Sequence, residues 1–281
     1  PAAPTIVFLG QPNCGKSALF NALAGHSAQT ASFPGTTVQH AHSEVTIGER
    51  KLGIVDLPGT YSLQPSDPAE GVALRHLFVE RPDVVVNVVD ASILGRSLEL
   101  TLELLEMGRP MVVALNMTDL AAKRGVIVDP ARLAARLGVP VVPTVASHGR
   151  GVKELMDAVL ACLDSPCLGP RPTWSADVER EVSAFAAAIP EGFSCVADAR
   201  FTAVRMIESG RTFCDAYLGE IDPSLKRSLE ETRGRLEALR GKPAYEVISA
   251  ERHHLALKIF EECATVRRRR RRAWSDRLDD V

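Results

Sequence analysis

The spacing of apolar positions changes character near residue 165. Up to that point short apolar runs alternate with stretches of helical period. The runs Thr5–Leu9, Val45–Ile47, Leu52–Asp56, Val84–Asp90, Met111–Asn116 and Val139–Val142 read as strands. Within Val84–Val89 only Asn87 is polar, the pattern of a strand covered on both faces. Between the runs, Ser17–Ala24, Ala69–Val79, Arg96–Met107, Pro130–Leu137 and Val152–Leu163 carry helical spacing. Strands alternating with helices predict βαβ units and a mainly parallel, three-layer α/β/α sheet. Val45–Ile47 and Leu52–Val55, joined through Gly48-Glu49-Arg50, predict a hairpin and hence one antiparallel edge strand.

Three prolines and one glycine between Ser165 and Pro172 break the pattern and mark a domain boundary. Beyond it the chain reads as helical. Leu225, Leu229, Leu236 and Leu239 form one stripe; Ile248, Leu255, Ile259, Cys263 and Val266 form another. Pro223 suits a first helical turn, and Gly241 with Pro243 separates the two helices. The expected organisation is residues 1–165 as an α/β domain, 173–272 as an all-helical domain and 273–281 as a short terminal segment. The stripes are those of a small bundle core and suggest no cofactor site.

Composition narrows the class. A chain of 281 residues, 46% hydrophobic and 24% charged, can bury a real core. Its formal charge of -2 argues against a protein that coats nucleic acid, and no nucleic-acid partner is expected. Six consecutive arginines nevertheless stand at Arg267 to Arg272. The six cysteines include no C-x-x-C pair, the histidines form no zinc-ligand cluster and no secretory signal opens the chain, so a reduced cytosolic setting is expected. No apolar run approaches the ~18 residues of a membrane helix.

The chemistry begins at Gly10-Gln11-Pro12-Asn13-Cys14-Gly15-Lys16-Ser17, which fits G-x-x-x-x-G-K-[ST] between a strand and a helix. Such a turn presents backbone N–H groups and a helix dipole to phosphate. Lys16 would reach the terminal phosphates and Ser17 would ligate magnesium. Asp56-Leu57-Pro58-Gly59 supplies a carboxylate for magnesium through water and a glycine N–H for the terminal phosphate. Between them lies Ser32 to Val38. Within it Gly35, Thr36 and Thr37 form the expected mobile loop, with Thr37 rather than Thr36 on the metal.

Asn116-Met117-Thr118-Asp119 ends the fifth strand candidate, with Met117 where lysine usually stands. Asp119 can accept from guanine N1–H and the exocyclic amine. A site built on that pair rejects adenine by roughly 10⁴, because the carboxylate would be buried unpaired. Val145-Ala146-Ser147 falls where a backbone N–H should meet the guanine oxygen. Thr60, not glutamine, follows Gly59, so hydrolysis should be slow or assisted from outside. Asn13 has two readings, a hydrogen bond within the loop or a ligand to potassium beside the phosphates. The expected fold is therefore a P-loop GTPase followed by a helical domain, using GTP/GDP and magnesium.

Four motifs in this order and context are those of the translation-factor-related GTPases, and the chain resembles the cytosolic amino-terminal region of the FeoB ferrous-iron transporter family. The resemblance rests on Gly10 to Ser17, Phe33-Pro34-Gly35-Thr36-Thr37-Val38, Asp56 to Leu63 and Asn116 to Asp119. In the second half it rests on Arg200 to Glu208, Ile248 to Arg252 and Ser275 to Val281. It implies a GTPase domain and a helical domain that slows GDP release, on the cytoplasmic face of the bacterial inner membrane. A transmembrane permease would be the partner. It also implies potassium-stimulated hydrolysis through Asn13, and it leaves a homo-oligomer open. The chain departs from the family pattern at Gln11, Cys14, Phe33, Gln39 and His253, where Asn, Ser, Trp, Glu and Tyr are common. The arginine run reads either as a solvated helix end or as a patch on anionic lipid, worth about 1 kcal/mol per cation. A soluble GTPase of ribosome or RNA assembly, and a nucleotide sensor with negligible turnover, are the alternative readings.

Overall fold

The computed structural model describes residues 3–25, 29–32, 39–64, 71, 74, 76–190, 193, 197–210, 213–218 and 221–267. Gly35, Thr36 and Thr37, the arginines from 268 to 272 and the segment 273–281 lie outside the described residues.

The strands are β1 (Thr5–Gly10), β2 (Gln29–Ser32), β3 (Gln39–Ile47), β4 (Arg50–Asp56), β5 (Val84–Asp90), β6 (Met111–Asn116), β7 (Val126–Val128) and β8 (Val141–Pro143). All but β7 join one sheet in the order β2-β3-β4-β1-β5-β6-β8. β4, β1, β5, β6 and β8 run parallel; β3 is antiparallel to β4, as the hairpin pattern predicts. The antiparallel strand is not outermost, because β2 pairs antiparallel beyond it with Gln29 opposite His42. Gln29–Ser32 is polar and small, so it has no apolar alternation to announce a strand.

Helices α1 (Lys16–Ala24), α2 (Leu94–Met107), α3 (Thr118–Lys123), α4 (Pro130–Leu137) and α5 (Val152–Asp164) surround the sheet. The strand period of two sorts the core onto the two faces. Ile6, Phe8, Ile54, Val86 and Val112 pack with α1 and α5, and Phe8 meets Phe20 edge to face at 6.3 Å. Val7, Leu9, Val55, Val85 and Val113 face α2 and α4. Within the predicted helix Ala69–Val79 the described residues Gly71 and Leu74 are helical, and His76–Glu80 closes it in a wider turn.

An extended segment from 165 leads to α6 (Ala176–Ala187), α7 (Ala199–Ser209), α8 (Pro223–Arg240) and α9 (Ala244–Cys263). Asp222 caps α8 by accepting from Ser224 N–H, with Pro223 in the first turn; Gly241, at φ 64, ends it. These helices share one apolar core with the α2 face of the sheet, through Phe201, Ile207, Ile248 and Ile259. Phe78, from the wide turn, seats its ring against Phe201, Phe213 and Tyr217 at centroid distances of 5.9, 6.2 and 5.0 Å.

One expectation fails in this half. The chain after residue 172 is not helical throughout, since β9 (Ala264–Val266) pairs antiparallel with β7. A three-residue strand is too short to show a period, and its partner is distant in sequence.

Candidate functional site

Parallel strands carry their carboxyl ends to one edge of the sheet, and the strand order reverses at β1, where such folds form a crevice. The predicted site residues stand along that edge. Gly10–Ser17 follows β1, Asp56–Gly59 follows β4, Asn116–Asp119 follows β6, and Val145–Ser147 lies just past β8.

In the first loop Gly15 has φ 87, and a Cβ there would stand 2.2 Å from Asn116 Nδ2, so only glycine fits. Asn13 is exposed with φ 65, a left-handed conformation that asparagine tolerates. Cys14 turns its side chain into the core with Phe8 and Val88, where burial pushes the thiol up to about 11 and keeps it protonated at neutral pH. Gln11 also turns inward, its amide donating to the Arg96 carbonyl at 2.9 Å. The departure at Cys14 therefore leaves its side chain under the loop, while Gln11 is tied to α2 at the wall of the cleft. Ser17 is exposed in the first turn of α1. Lys16 Nζ pairs with Asp56 Oδ1, both side chains about nine-tenths buried.

The second loop runs along the first. Leu57 N–H donates to Phe8 O, and Thr60 N–H donates to Gly10 O at 3.1 Å. A Cβ on Gly59 would stand 3.0 Å from Pro12 Cα, so a side chain there would press the two loops apart by a few tenths of an ångström. Thr60 is fully buried and its hydroxyl donates to Ser62 O at 2.6 Å. The same hydroxyl accepts the Ser62 N–H at 3.4 Å, so it is engaged within its own loop. Tyr61 is exposed beneath the Arg96 guanidinium, 5.0 Å from its ring centroid.

Asn116 is read from sequence as selecting a base, but its amide is engaged by the protein. Nδ2 donates to Cys14 O at 2.9 Å, while Oδ1 accepts from Thr144 Oγ1 at 3.1 Å and Ala146 N–H at 3.0 Å. One buried side chain thus holds three loops in register. Met117 stands at φ 58, a strained conformation for a long side chain, and starts α3. Thr118 Oγ1 donates to Thr144 O. Asp119 stays about one-third exposed, with Lys123 3.9 Å away. Val145 is buried and bridges to Arg150, and Ser147 is exposed against His148.

Gln11, Pro12, Asn13, Gly15, Lys16, Ser17, Pro58 and Gly59 line one open cleft of about 610 Å³. Its donors suit hard cations. The Ser17 hydroxyl and Asp56 carboxylate match magnesium, and an amide oxygen such as that of Asn13 matches potassium. Among the described residues there is no cluster of three or more His, Cys, Asp or Glu side chains placed to hold a metal.

Sequence reading missed two features. Thr144 shows only as a polar residue at a strand end. The other is a buried charge cluster joining the two halves. Glu103 and Glu106 of α2, Arg205 and Glu208 of α7, and Arg252 of α9 are all nearly or wholly buried. Arg205 meets Glu208 at 2.6 Å, Glu103 at 3.3 Å and Glu106 at 3.4 Å. Arg252 meets the same three at 2.8, 3.3 and 3.2 Å. Glu103 also accepts the N–H of Leu63, just beyond Thr60. Burial pushes the Glu103 carboxyl up, against the pull of Arg252 and Arg205. At Glu208 burial acts the same way but Arg205 and Arg252 outweigh it, and the carboxyl falls below its usual range. In sequence these charges are scattered over three distant helices, with no local pattern that joins them.

A family model described as ferrous iron transport protein B matches residues 4–159. The Fe(2+) transport protein A/Fe(2+) transporter FeoB fusion protein of Porphyromonas gingivalis is 33% identical over 221 residues, 76% of this chain and 26% of that protein. The Escherichia coli K12 Fe(2+) transporter FeoB is 33% identical over 237 residues, 83% of this chain and 30% of its own length. The chain thus spans less than a third of these curated relatives. A GDP-bound mutant of the S. thermophilus FeoB G-domain superposes with a TM-score of 0.83 at 30% identity, over 93% of this chain and all of the other.

Proposed function

This chain belongs to the ferrous iron transport protein B family, and on that premise we propose that it is the guanine-nucleotide switch of a ferrous-iron membrane transporter. Residues 1–165 bind GTP and GDP, and residues 173–272 read the nucleotide state. The observation that carries this reading is the gathering of four loops at one sheet edge, with Asn116 fastening the phosphate loop to Ala146. The GDP-bound G-domain of S. thermophilus FeoB, alike in fold, supports the choice of nucleotide.

In this reading Gly10 to Ser17 wraps the phosphates, and Lys16 exchanges its ion pair with Asp56 for phosphate oxygens. Ser17, Asp56 and Thr37 would hold magnesium, which would neutralise charge on the phosphates. Gly35 and Thr36 would belong to the same nucleotide-binding set, and Leu57, Pro58 and Gly59 would follow the terminal phosphate. Asn116, Met117 and Thr118 position Asp119 against the guanine edge, with Val145, Ala146 and Ser147 behind it. Asp119→Asn is expected to lower GTP affinity about 10²-fold or more and to raise xanthosine triphosphate binding, measured by competition against a fluorescent GDP. Retained preference for GTP would remove Asp119 from the base site.

Turnover is expected to be slow. Thr60 offers no free group to orient water, so unassisted hydrolysis should run on the order of 10⁻³ s⁻¹ or below. Asn13 would hold potassium, which would supply positive charge to the site. Single-turnover phosphate release should rise about tenfold or more when potassium replaces sodium, and Asn13→Ala should erase the difference. Equal rates in both salts would reduce Asn13 to a loop residue.

The helical half slows GDP release and relays the nucleotide state toward the permease portion of the transporter. Its route is the cluster in which Glu103 holds Leu63 and is itself held by Arg205 and Arg252. The arginine run from Arg267 to Arg272 would lie on anionic lipid headgroups at the cytoplasmic face.

A further inference from the structure

We propose that Cys162 and Cys167 form a thiol–disulfide pair, in which Cys167 attacks a small disulfide and Cys162 closes the bridge. Cys162 lies in the last turn of α5, and Cys167 three residues past its end. Cys162 Sγ accepts the Cys167 N–H at 3.3 Å, which sets the second cysteine against the sulfur of the first. The two cysteines thus lie within one turn of chain of each other, as a bridge requires.

The two thiols are unlike, and the difference assigns their order. Cys162 is 1% exposed, and burial pushes its thiol up to about 12, so it is a poor first nucleophile. Cys167 is partly exposed, with its thiol near the Ser165 carbonyl. It loses a proton to solvent and attacks one sulfur of the small disulfide, releasing one small thiolate that takes up a proton. Cys162 then loses its proton and attacks Cys167 Sγ, expelling the second small thiol. Two electrons pass to the small disulfide and none is left over.

The bridge would lie at the far end of the sheet from the phosphate cleft. The Cys167 carbonyl accepts the N–H of Met111, the first residue of β6, whereas Asn116 ends that strand. Oxidation would fasten the start of the connecting segment to α5 without touching the nucleotide loops.

The test treats the folded chain with oxidised glutathione, alkylates the remaining thiols and maps peptides by mass. No Lys or Arg stands between 154 and 170, so one tryptic peptide holds both cysteines. That peptide should lose two hydrogens and escape alkylation, and dithiothreitol should reverse both changes. Cys162→Ser should stop at a lasting glutathione adduct on Cys167, and Cys167→Ser should leave Cys162 unreacted. A lasting adduct on the unaltered chain, alkylation of both thiols after oxidation, or faster attack at Cys162 would overturn the proposal.

Discussion

Lys16→Ala should weaken GDP binding by about 10²–10⁴-fold while leaving the far-ultraviolet circular dichroism unchanged. Two charge-assisted contacts to phosphate, at about 1.5–3 kcal/mol each, set that range. The loss has a second source. In the folded chain Lys16 neutralises Asp56, whose side chain is about 10% exposed. Without the ammonium, that carboxylate faces the phosphates as a like charge. The fold should survive because position 16 opens α1, where alanine is the better helix former. Titration with a fluorescent GDP measures the effect, and a loss below tenfold would place the phosphates elsewhere.

Arg205→Ala should destabilise the chain by about 3–5 kcal/mol, the usual cost of leaving buried charges without their partner. Arg205 is fully buried and contacts Glu103, Glu106 and Glu208 at once, with its guanidinium also 5.5 Å from the Phe201 ring centroid. Removing it leaves three carboxylates facing Arg252 alone. Urea unfolding should show the midpoint falling, and GDP release should quicken, because Glu103 would hold Leu63 less firmly. Arg205→Lys keeps a charge but loses the guanidinium fork, so it should recover only part of the stability. If the alanine variant released GDP at the unaltered rate while losing stability, the cluster would be structural and the relay would run by another path.

The sheet was legible for a plain reason. Strands covered on both faces must be apolar nearly throughout, and Val84–Asp90 and Met111–Asn116 are. Helices with a polar outer face and a proline or glycine at their ends were equally clear. Pro130–Leu137 has the predicted limits, capped by Asp129 and closed by Gly138 at φ 68. β2, β7 and β9 were not legible, being short or polar and paired with partners far away.

The loops divide in the same way. Gly15 and Gly59 could be read because glycine at a fixed spacing signals a backbone that must come close to another. The inward turn of Gln11 could not, since its partner is a carbonyl on α2.

By itself the sequence determined which residue types stand at which strand ends. That sufficed for the class of fold and the order of the four loops, because both follow from local period and spacing. Only the tertiary structure decided what those residues touch. It made Asn116 a clasp between loops, paired Lys16 with Asp56, and buried Glu103, Glu106, Arg205, Glu208 and Arg252 together in one charge cluster. The reason is physical. Burial of a charge depends on partners contributed by helices distant in sequence, and no local pattern records them.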